Sequence, residues 1–288
     1  MTSARDIDVS LLRAFVAVAE TGRMTRAAKV VHVTQSAVSQ RIQRLEVLLE
    51  IALFERHSDA ARLTRDGERF MSRARRLIAL NDEILGEMRG GDFSGEIRLG
   101  VPHDIVASML PPMLREFRRA WPHVLVTLVS NATTVLKTLL NDGKLDAALT
   151  TERERASRRD CLLSDHLIWA GAIGGSAGHR RPLSVALGPK SCAFRASAVD
   201  ALDKAGIRWR PICQVGSLEP VFATVEADMA VAPFLRRTVP DKLEILDVAE
   251  LPVLPLFHIN MRFPDALLSK PAQALVEQIR SGFKSRYA

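Results

Sequence analysis

Between residues 34 and 49 the chain reads Thr34-Gln35-Ser36-Ala37-Val38-Ser39-Gln40-Arg41-Ile42-Gln43-Arg44-Leu45-Glu46-Val47-Leu48-Leu49. At about 100° per residue, Val38, Ile42, Leu45 and Leu49 form one narrow apolar stripe. Thr34 suits the N-cap position, because its hydroxyl can accept a free N–H of the first turn. Ser36, Gln40 and Gln43 project from the opposite face, Ser39 lies on the flank, and Gln35 sits at the tip. Glutamine can pair with adenine through two hydrogen bonds, and serine can donate or accept at base edges. Arg41 and Arg44 are placed for phosphates. A polar helix face is often only solvated, but this one carries amides and short hydroxyls where an ordinary solvated face mixes Glu and Lys.

Upstream, Leu11, Phe15 and Val18 recur at helical spacing toward Gly22, a good helix stop. A short second helix is expected over 24–31, with Ala27 and Ala28 permitting close helix contact, and His32-Val33 makes a turn. Downstream, Leu53-Phe54-Glu55-Arg56-His57 and Arg62-Leu63-Thr64 read as two short strands around a tight loop, a wing flanked by Arg56 and Arg62. Arginines on a wing can enter the minor groove, where the potential is most negative. Exposure or local ion pairing is the simpler alternative for both.

The charge distribution agrees. The 288-residue chain has a net charge of +7. Residues 23–76 hold twelve Lys/Arg against six Asp/Glu, a surplus of six in under a fifth of the chain. Such a concentration favours a polyanionic partner. A hydrophobic fraction of 47% suits a folded protein of two domains. The N-terminus lacks an apolar leader and no apolar run reaches membrane-spanning length, so a cytoplasmic location without membrane contact is expected. Cys161, Cys192 and Cys213 are too few and too widely spaced for a disulfide framework or a zinc site, and read as ordinary, partly buried thiols; the alternative is a redox switch between Cys192 and Cys213.

Phe15, Thr25-Arg26-Ala27-Ala28, Val33-Thr34-Gln35-Ser36-Ala37-Val38-Ser39, Ile42, Leu45-Glu46, Leu53-Phe54-Glu55-Arg56 and Leu63-Thr64 with Gly67 together resemble the signature of LysR-type transcriptional regulators. The resemblance spans about sixty residues at fixed spacings. It implies a winged helix-turn-helix whose third helix lies in the major groove. The family often has glycine after that helix; here Leu49-Glu50-Ile51-Ala52-Leu53-Phe54 must turn without one.

Thr64 could cap a long helix reaching residue 88. Phe70, Ala74, Leu77, Asn81, Ile84 and Met88 follow a heptad spacing, widened by Met71, Ile78 and Leu85. The helix either packs on its own domain or pairs with a second subunit, as the resemblance also implies. A homodimer or homotetramer would present paired reading helices to a pseudo-palindromic operator in double-stranded DNA. The expected division is 1–64 for the winged helix-turn-helix, 65–89 for a linker and dimerisation helix, 90–95 for a glycine-rich hinge, and 96–288 for an effector-binding domain.

After the hinge, strands are expected at 96–101, 124–129, 145–149, 166–172, 183–187, 212–215, 229–232, 245–246 and 256–261. Helices are expected at 105–119, 133–141, 196–205, 218–227 and 269–284. The alternation implies a mainly parallel sheet in two α/β lobes. The fold class is therefore α/β, behind the winged helix-turn-helix and its linker helix. In such sheets, ligands bind beyond the carboxyl ends of strands and where lobes meet. The candidates there are Pro102, His103 and Asp104; Ser130 and Asn131; Thr150 and Thr151; Phe194 and Arg195; Gly216 and Ser217. Hydroxyls, amides and helix N-termini suit a small anion such as a carboxylate. Each of these residues is as readily an ordinary cap or loop residue. The charged run 152–159 reads as a solvated loop.

The order of elements also resembles the regulatory domain of the same family, two lobes like a periplasmic binding protein, which implies an effector between them. Cys192-Ala193-Phe194-Arg195, Ala201-Leu202, Ala205-Gly206 and Trp209-Arg210 look like one subgroup. Many members show Ala-Gly-x-Gly where this chain has Ala227-Asp228-Met229-Ala230. An enzyme is not expected: the seven histidines are scattered, Gly171 to Gly175 lacks a dinucleotide fingerprint, and no nucleophile elbow or phosphate loop is present. No cofactor or metal is expected. The main alternative is a DNA-binding repressor or architectural protein whose C-terminal domain serves only oligomerisation.

Overall fold

The computed structural model describes residues 6–55, 61–88, 95–213, 218–247, 249, 251–264 and 268–287. Arg56 and the wing tip, most of the expected hinge, Gly216 and Ser217 lie outside the described residues, as does the side chain of Met88.

The N-terminal unit begins with α1 (Val9–Thr21), whose N-cap Asp8 accepts from the Ser10 amide and whose C-cap Gly22 takes φ 68°. α2 (Met24–Val30) follows. His32, at φ 53°, turns the chain into α3 (Gln35–Leu49). Phe54 and Leu63 form an antiparallel bridge, flanked by hydrogen bonds from the Glu55 amide to Arg62 O (2.9 Å) and from the Thr64 amide to Leu53 O (3.0 Å). α4 (Arg65–Met88) leaves this wing, its first turn capped by Thr64 Oγ1, which accepts from the Gly67 amide at 3.0 Å. Gly67 is needed for close approach: a Cβ there would lie 2.2 Å from Leu53 O. Leu12, Phe15, Val18, Val38, Ile42, Leu45, Leu53 and Ala74 form one core.

The C-terminal unit runs β1 (Gly95–Pro102), α5 (His103–Met109), α6 (Pro111–Ala120), β2 (Val124–Asn131), α7 (Thr133–Asn141), β3 (Ala147–Glu152) and β4 (Cys161–Ala172). It continues with β5 (Leu183–Val185), α8 (Ala193–Lys204), β6 (Trp209–Pro211), α9 (Glu219–Glu226), β7 (Ala232–Leu235), β8 (Leu243–Ile245), β9 (Leu256–Arg262) and α10 (Lys270–Tyr287). The strand order is β2-β1-β3-β9-β4-β7, with β8 also on β4. β1 is parallel to β2 and β3, whereas β9 runs antiparallel to both β3 and β4. The first half of β4 pairs with β9 and its second half with β7 and β8, so this strand joins the two lobes. β5 and β6 form a separate parallel pair.

The sheet is thus mixed, not mainly parallel. The chain passes from β3 to β4 without a helix, and β9 returns between them, so this part contains no β-α-β unit. The helix expected at 105–119 is two helices, broken where Pro111 starts the second; proline's missing N–H suits the first turn of a helix and opposes its interior. The strand expected at 229–232 begins only at Ala232, and that expected at 212–215 is preceded by β6 at Trp209–Pro211.

Two substitutions of family glycines leave non-glycine residues in left-handed backbone. Glu50 closes α3 at φ 59°, and its amide donates to the carbonyls of Glu46 and Val47. Asp228 sits at φ 54°, and its carboxylate accepts from the amides of Ser176 and Ala177, both at 2.9 Å. The turns keep the geometry that glycine would favour. At Asp228 the side chain adds bonds that glycine could not make.

Candidate DNA-reading face and inter-lobe site

The third helix is divided as its sequence predicts. Val38, Ile42 and Leu45 are buried, while Gln35, Ser36, Gln40, Gln43 and Arg44 are exposed and Ser39 and Arg41 are half-buried. Thr34 Oγ1 accepts from the Ala37 amide at 3.2 Å and shares a hydrogen bond with Ser36 at 3.0 Å. Both residues therefore shape the helix start as well as facing outward. No hydrogen bond to another described residue engages the side chains of Gln35, Gln40 or Gln43, so their amides are available to base edges. Arg62 is exposed beside the bridge. One residue of this region was missed as a structural part: Glu46 Oε1 accepts from the amides of Leu53 (2.7 Å) and Phe54 (3.2 Å), fastening the wing to α3.

The linker helix corrects the heptad reading. Its broad apolar face is shared between two uses. Ala74 is fully buried in its own domain, Met71 and Ile78 pack there, and Phe70 lies 5.3 Å ring to ring from Phe15. Ala74 has no surface left for a partner. The neighbouring flank stays open: Leu77 is 43% exposed, Leu80 51% and Ile84 52%. Leu80 was not in the expected seam, and Asn81, half-buried, donates to Asp82.

In the C-terminal unit the ends of β1 and β2 are in register, Pro102 beside Asn131 and Val101 beside Ser130. This brings Ser130 Oγ within 2.9 Å of His103 Nδ1. Thr151 Oγ1 donates to Asp104 Oδ2 at 2.9 Å. Thr133, unnoticed in the sequence, bonds the Thr151 backbone twice, its hydroxyl accepting from the amide at 3.0 Å and donating to the carbonyl at 3.3 Å. Burial pushes the Asp104 carboxyl up to about 6, the Thr151 bond opposing this only in part. Burial also pushes the Cys192 thiol up, and the nearby charge of Asp104 acts in the same direction. The charge of Asp104 in the first lobe therefore reaches Cys192, just before α8 in the second. A raised thiol is a poor nucleophile. Cys192 is half-buried, Cys213 is buried, and both are free thiols.

Other candidates go elsewhere. Thr150 is fully enclosed, and its hydroxyl donates to Glu152 Oε1 at 2.6 Å. Strand alternation puts it on the face opposite Thr151. Phe194 is a core residue, edge-on to Phe257 at 4.9 Å. Arg195 donates to Gly188 O at 3.0 Å, and Asn131 Oδ1 accepts from the Ala132 amide. Glu152 belongs to β3 and not to the solvated loop; it is held by Arg262 (2.9 Å) and Lys137 (3.2 Å).

The two units touch through a cluster no sequence pattern announces. Glu20 on α1 accepts from Arg75 of α4 (2.8 Å) and from Arg98 of β1 (3.0 Å). The Arg98 amide donates to Asp146 Oδ2 at 2.7 Å, and burial raises the Asp146 carboxyl. Gly143, at φ 66°, lies against α4 so closely that a Cβ would come 1.8 Å from Ser72 Cβ. Gly143→Ala combines a left-handed alanine with this clash. It is expected to cost about 1–3 kcal/mol and to separate the lobe from the linker helix. Small-angle scattering should show a larger radius of gyration; unchanged scattering and melting would refute the contact.

Comparison with known proteins places both halves. The model of the bacterial regulatory helix-turn-helix protein, lysR family, matches residues 9–68, and that of the LysR substrate binding domain matches residues 90–284. The chain is 33% identical to the transcriptional regulator DgdR of Burkholderia cepacia, covering 97% of this chain and 96% of that protein. It is 30% identical to the regulator PecT of Dickeya dadantii, covering 97% and 89%. Similar folds include full-length OxyR of Pseudomonas aeruginosa, at TM-score 0.70 and 18% identity over 97% of this chain and 98% of that one. LysG of Corynebacterium glutamicum with bound effector Arg gives 0.67 and 18% over 97% and 99%. CbnR complexed with target DNA gives 0.58 and 21% over 96% and 100%. Among the described residues, no helix is long and apolar enough to cross a membrane. The protein is a DNA-binding transcription regulator with an effector-binding domain, and is not an enzyme. The chain belongs to the LysR-type family of transcriptional regulators.

Proposed function

We propose that this regulator works in the cytoplasm and reads its operator through Gln35, Ser36, Ser39, Gln40 and Gln43, with Arg41, Arg44, Arg56 and Arg62 on phosphates or in the minor groove. The observation that carries this is the set of exposed, uncommitted amides on α3, a helix fixed by Thr34 at its start and by Glu46 to the wing. The proposed division is 1–64 for DNA reading, 65–89 for pairing, 90–95 for the hinge and 96–288 for effector binding. Separate hydrophobic cores in the two units support it. Leu77, Leu80 and Ile84 form the proposed pairing surface.

The effector seat is proposed around His103, Asp104, Ser130 and Thr151, with Cys192 within reach of the Asp104 charge. Two elements run from this seat to the linker helix. α7 begins at Thr133, bonded to Thr151, and leads to Gly143 against Ser72. β3 holds Thr151 near one end and follows Asp146 at the other. A ligand that favours one lobe arrangement can bias the linker helix through them, provided it binds the two arrangements unequally.

The reading face is tested by selecting operators from genomic DNA and repeating the selection with Ser39→Ala and Gln40→Ala. Each substitution should reduce discrimination at one base position by about 1–3 kcal/mol while leaving the salt dependence unchanged. Arg44→Ala should instead lower the salt slope by about one, with site preference kept. Identical preferences after alanine replaces Gln35, Ser36, Ser39 and Gln40 together would reject α3 as the reading helix.

A further inference from the structure

The effector's chemical class follows from the one carboxylate in the seat. We infer that the effector carries an ammonium group, and that Asp104 is the residue that binds it. This rests on the inter-lobe seat described above.

Asp104 stands in the first turn of α5, and Thr151 Oγ1 donates to one of its oxygens at 2.9 Å. Among the described residues no cation forms an ion pair with it. The charged or titratable groups on the elements packed on α5 are otherwise placed. On β1, Arg98 pairs with Glu96 and Glu20; on α6, Glu116 pairs with Arg286, and Arg115, Arg118 and Arg119 are exposed; β2 carries no charged residue. On α5 itself, His103 is tied to Ser130. On β3, Glu152 is committed to Arg262 and Lys137. On α8, Cys192 is a thiol with a raised proton affinity, and Arg195 donates to Gly188 O. The 3-10 turn Arg236–Thr238 packs on α5, but Arg236 and Arg237 are exposed.

Asp104 is half-buried, and an ionised carboxylate left there without a counter-charge is costly. A bare carboxylate ligand would add a second negative charge beside it, which makes the simple anion expected from hydroxyls and helix ends a poor fit. An ammonium supplies the missing charge and donates to the carboxylate in a charge-assisted hydrogen bond. Ser130 and His103 remain to take a second polar group of the same ligand.

A purely structural Asp104 would serve only to join α5 to β3 through Thr151. Asparagine keeps that link, since its amide oxygen can still accept from Thr151. The test uses the full chain and its Asp104→Asn variant at pH 8. Thermal shift and calorimetry are run with three matched sets: α-amino acids and diamines, their N-acetyl derivatives, and carboxylic acids lacking nitrogen. We expect stabilisation by members of the first set alone, weakened about a hundredfold in Asp104→Asn. Without ligand the variant should melt no lower than the parent, because a half-buried charge without a counter-charge has been removed.

The affinity of the parent for an active amine should fall about tenfold per pH unit once pH drops below about 6, where Asp104 takes up its proton. Stabilisation by nitrogen-free acids while amines are inert would overturn the ammonium assignment and leave the seat standing. Equal amine affinity in Asp104→Asn would overturn the role of Asp104. No response to any set would reject the ammonium assignment and the effector seat together.

Discussion

Replacing Leu77 and Ile84 together with aspartate should convert the protein to monomers and abolish operator binding at concentrations where the parent is saturated. In the single chain these residues are 43% and 52% exposed, so the substitution removes no core contact from the fold. In a symmetric pair of linker helices they would be buried twice over. Burial of a large aliphatic side chain contributes about 1.5–3 kcal/mol. About half of each side chain is left to bury, so the four of them supply about 3–6 kcal/mol, equivalent to a change of roughly a hundredfold to ten-thousandfold in the dimer constant. A single reading helix then loses the gain from joining two half-sites. Sedimentation equilibrium measures the assembly, gel retardation the DNA affinity, and far-UV circular dichroism the retention of helix. Unchanged sedimentation would reject this flank as the pairing surface.

Phe15→Ala attacks the reading head from inside. Phe15 is fully buried, with ring centroids 5.5 Å from Phe54 of the wing and 5.3 Å from Phe70 of α4. These three rings join α1, the wing and the linker helix, so the cavity would open where the elements that orient α3 meet. Truncation of a buried phenylalanine costs about 3–5 kcal/mol, a large share of the stability of a small domain. In denaturant, an early transition should appear for the N-terminal unit while the C-terminal transition stays in place. DNA affinity should fall with it. A single transition shifted by less than 1 kcal/mol would show that the rings do not organise the head.

Much of the DNA-reading unit is legible because its signals are local. Thr34 caps α3 through a residue three positions on, Gly22 ends α1, and the apolar stripe of α3 repeats within a few turns. The C-terminal unit is legible as alternating strands and helices but not in its strand directions, since the return of β9 between β3 and β4 depends on residues about a hundred positions apart. The inter-lobe candidates were half informative. The strand ends bring His103, Asp104, Ser130 and Thr151 together as their positions suggest, yet Thr150 and Phe194 turn inward and Thr133 carries no signal in the sequence. The junction of Glu20, Arg75, Arg98 and Asp146 joins four distant segments and has no spacing to betray it.

The sequence by itself determined the family, the capped third helix, the concentration of positive charge and the presence of a long amphipathic linker. Periodicity, caps and charge act between near neighbours, so they survive without knowledge of the fold. Only the tertiary structure decided which flank of the linker stays free, which of two adjacent threonines faces Asp104, and how the effector lobe meets α1 and α4. Helix and strand geometry say which side chains share a face. What covers that face is chosen by packing against distant parts of the chain, where the enclosed surface and the desolvated charge are settled together.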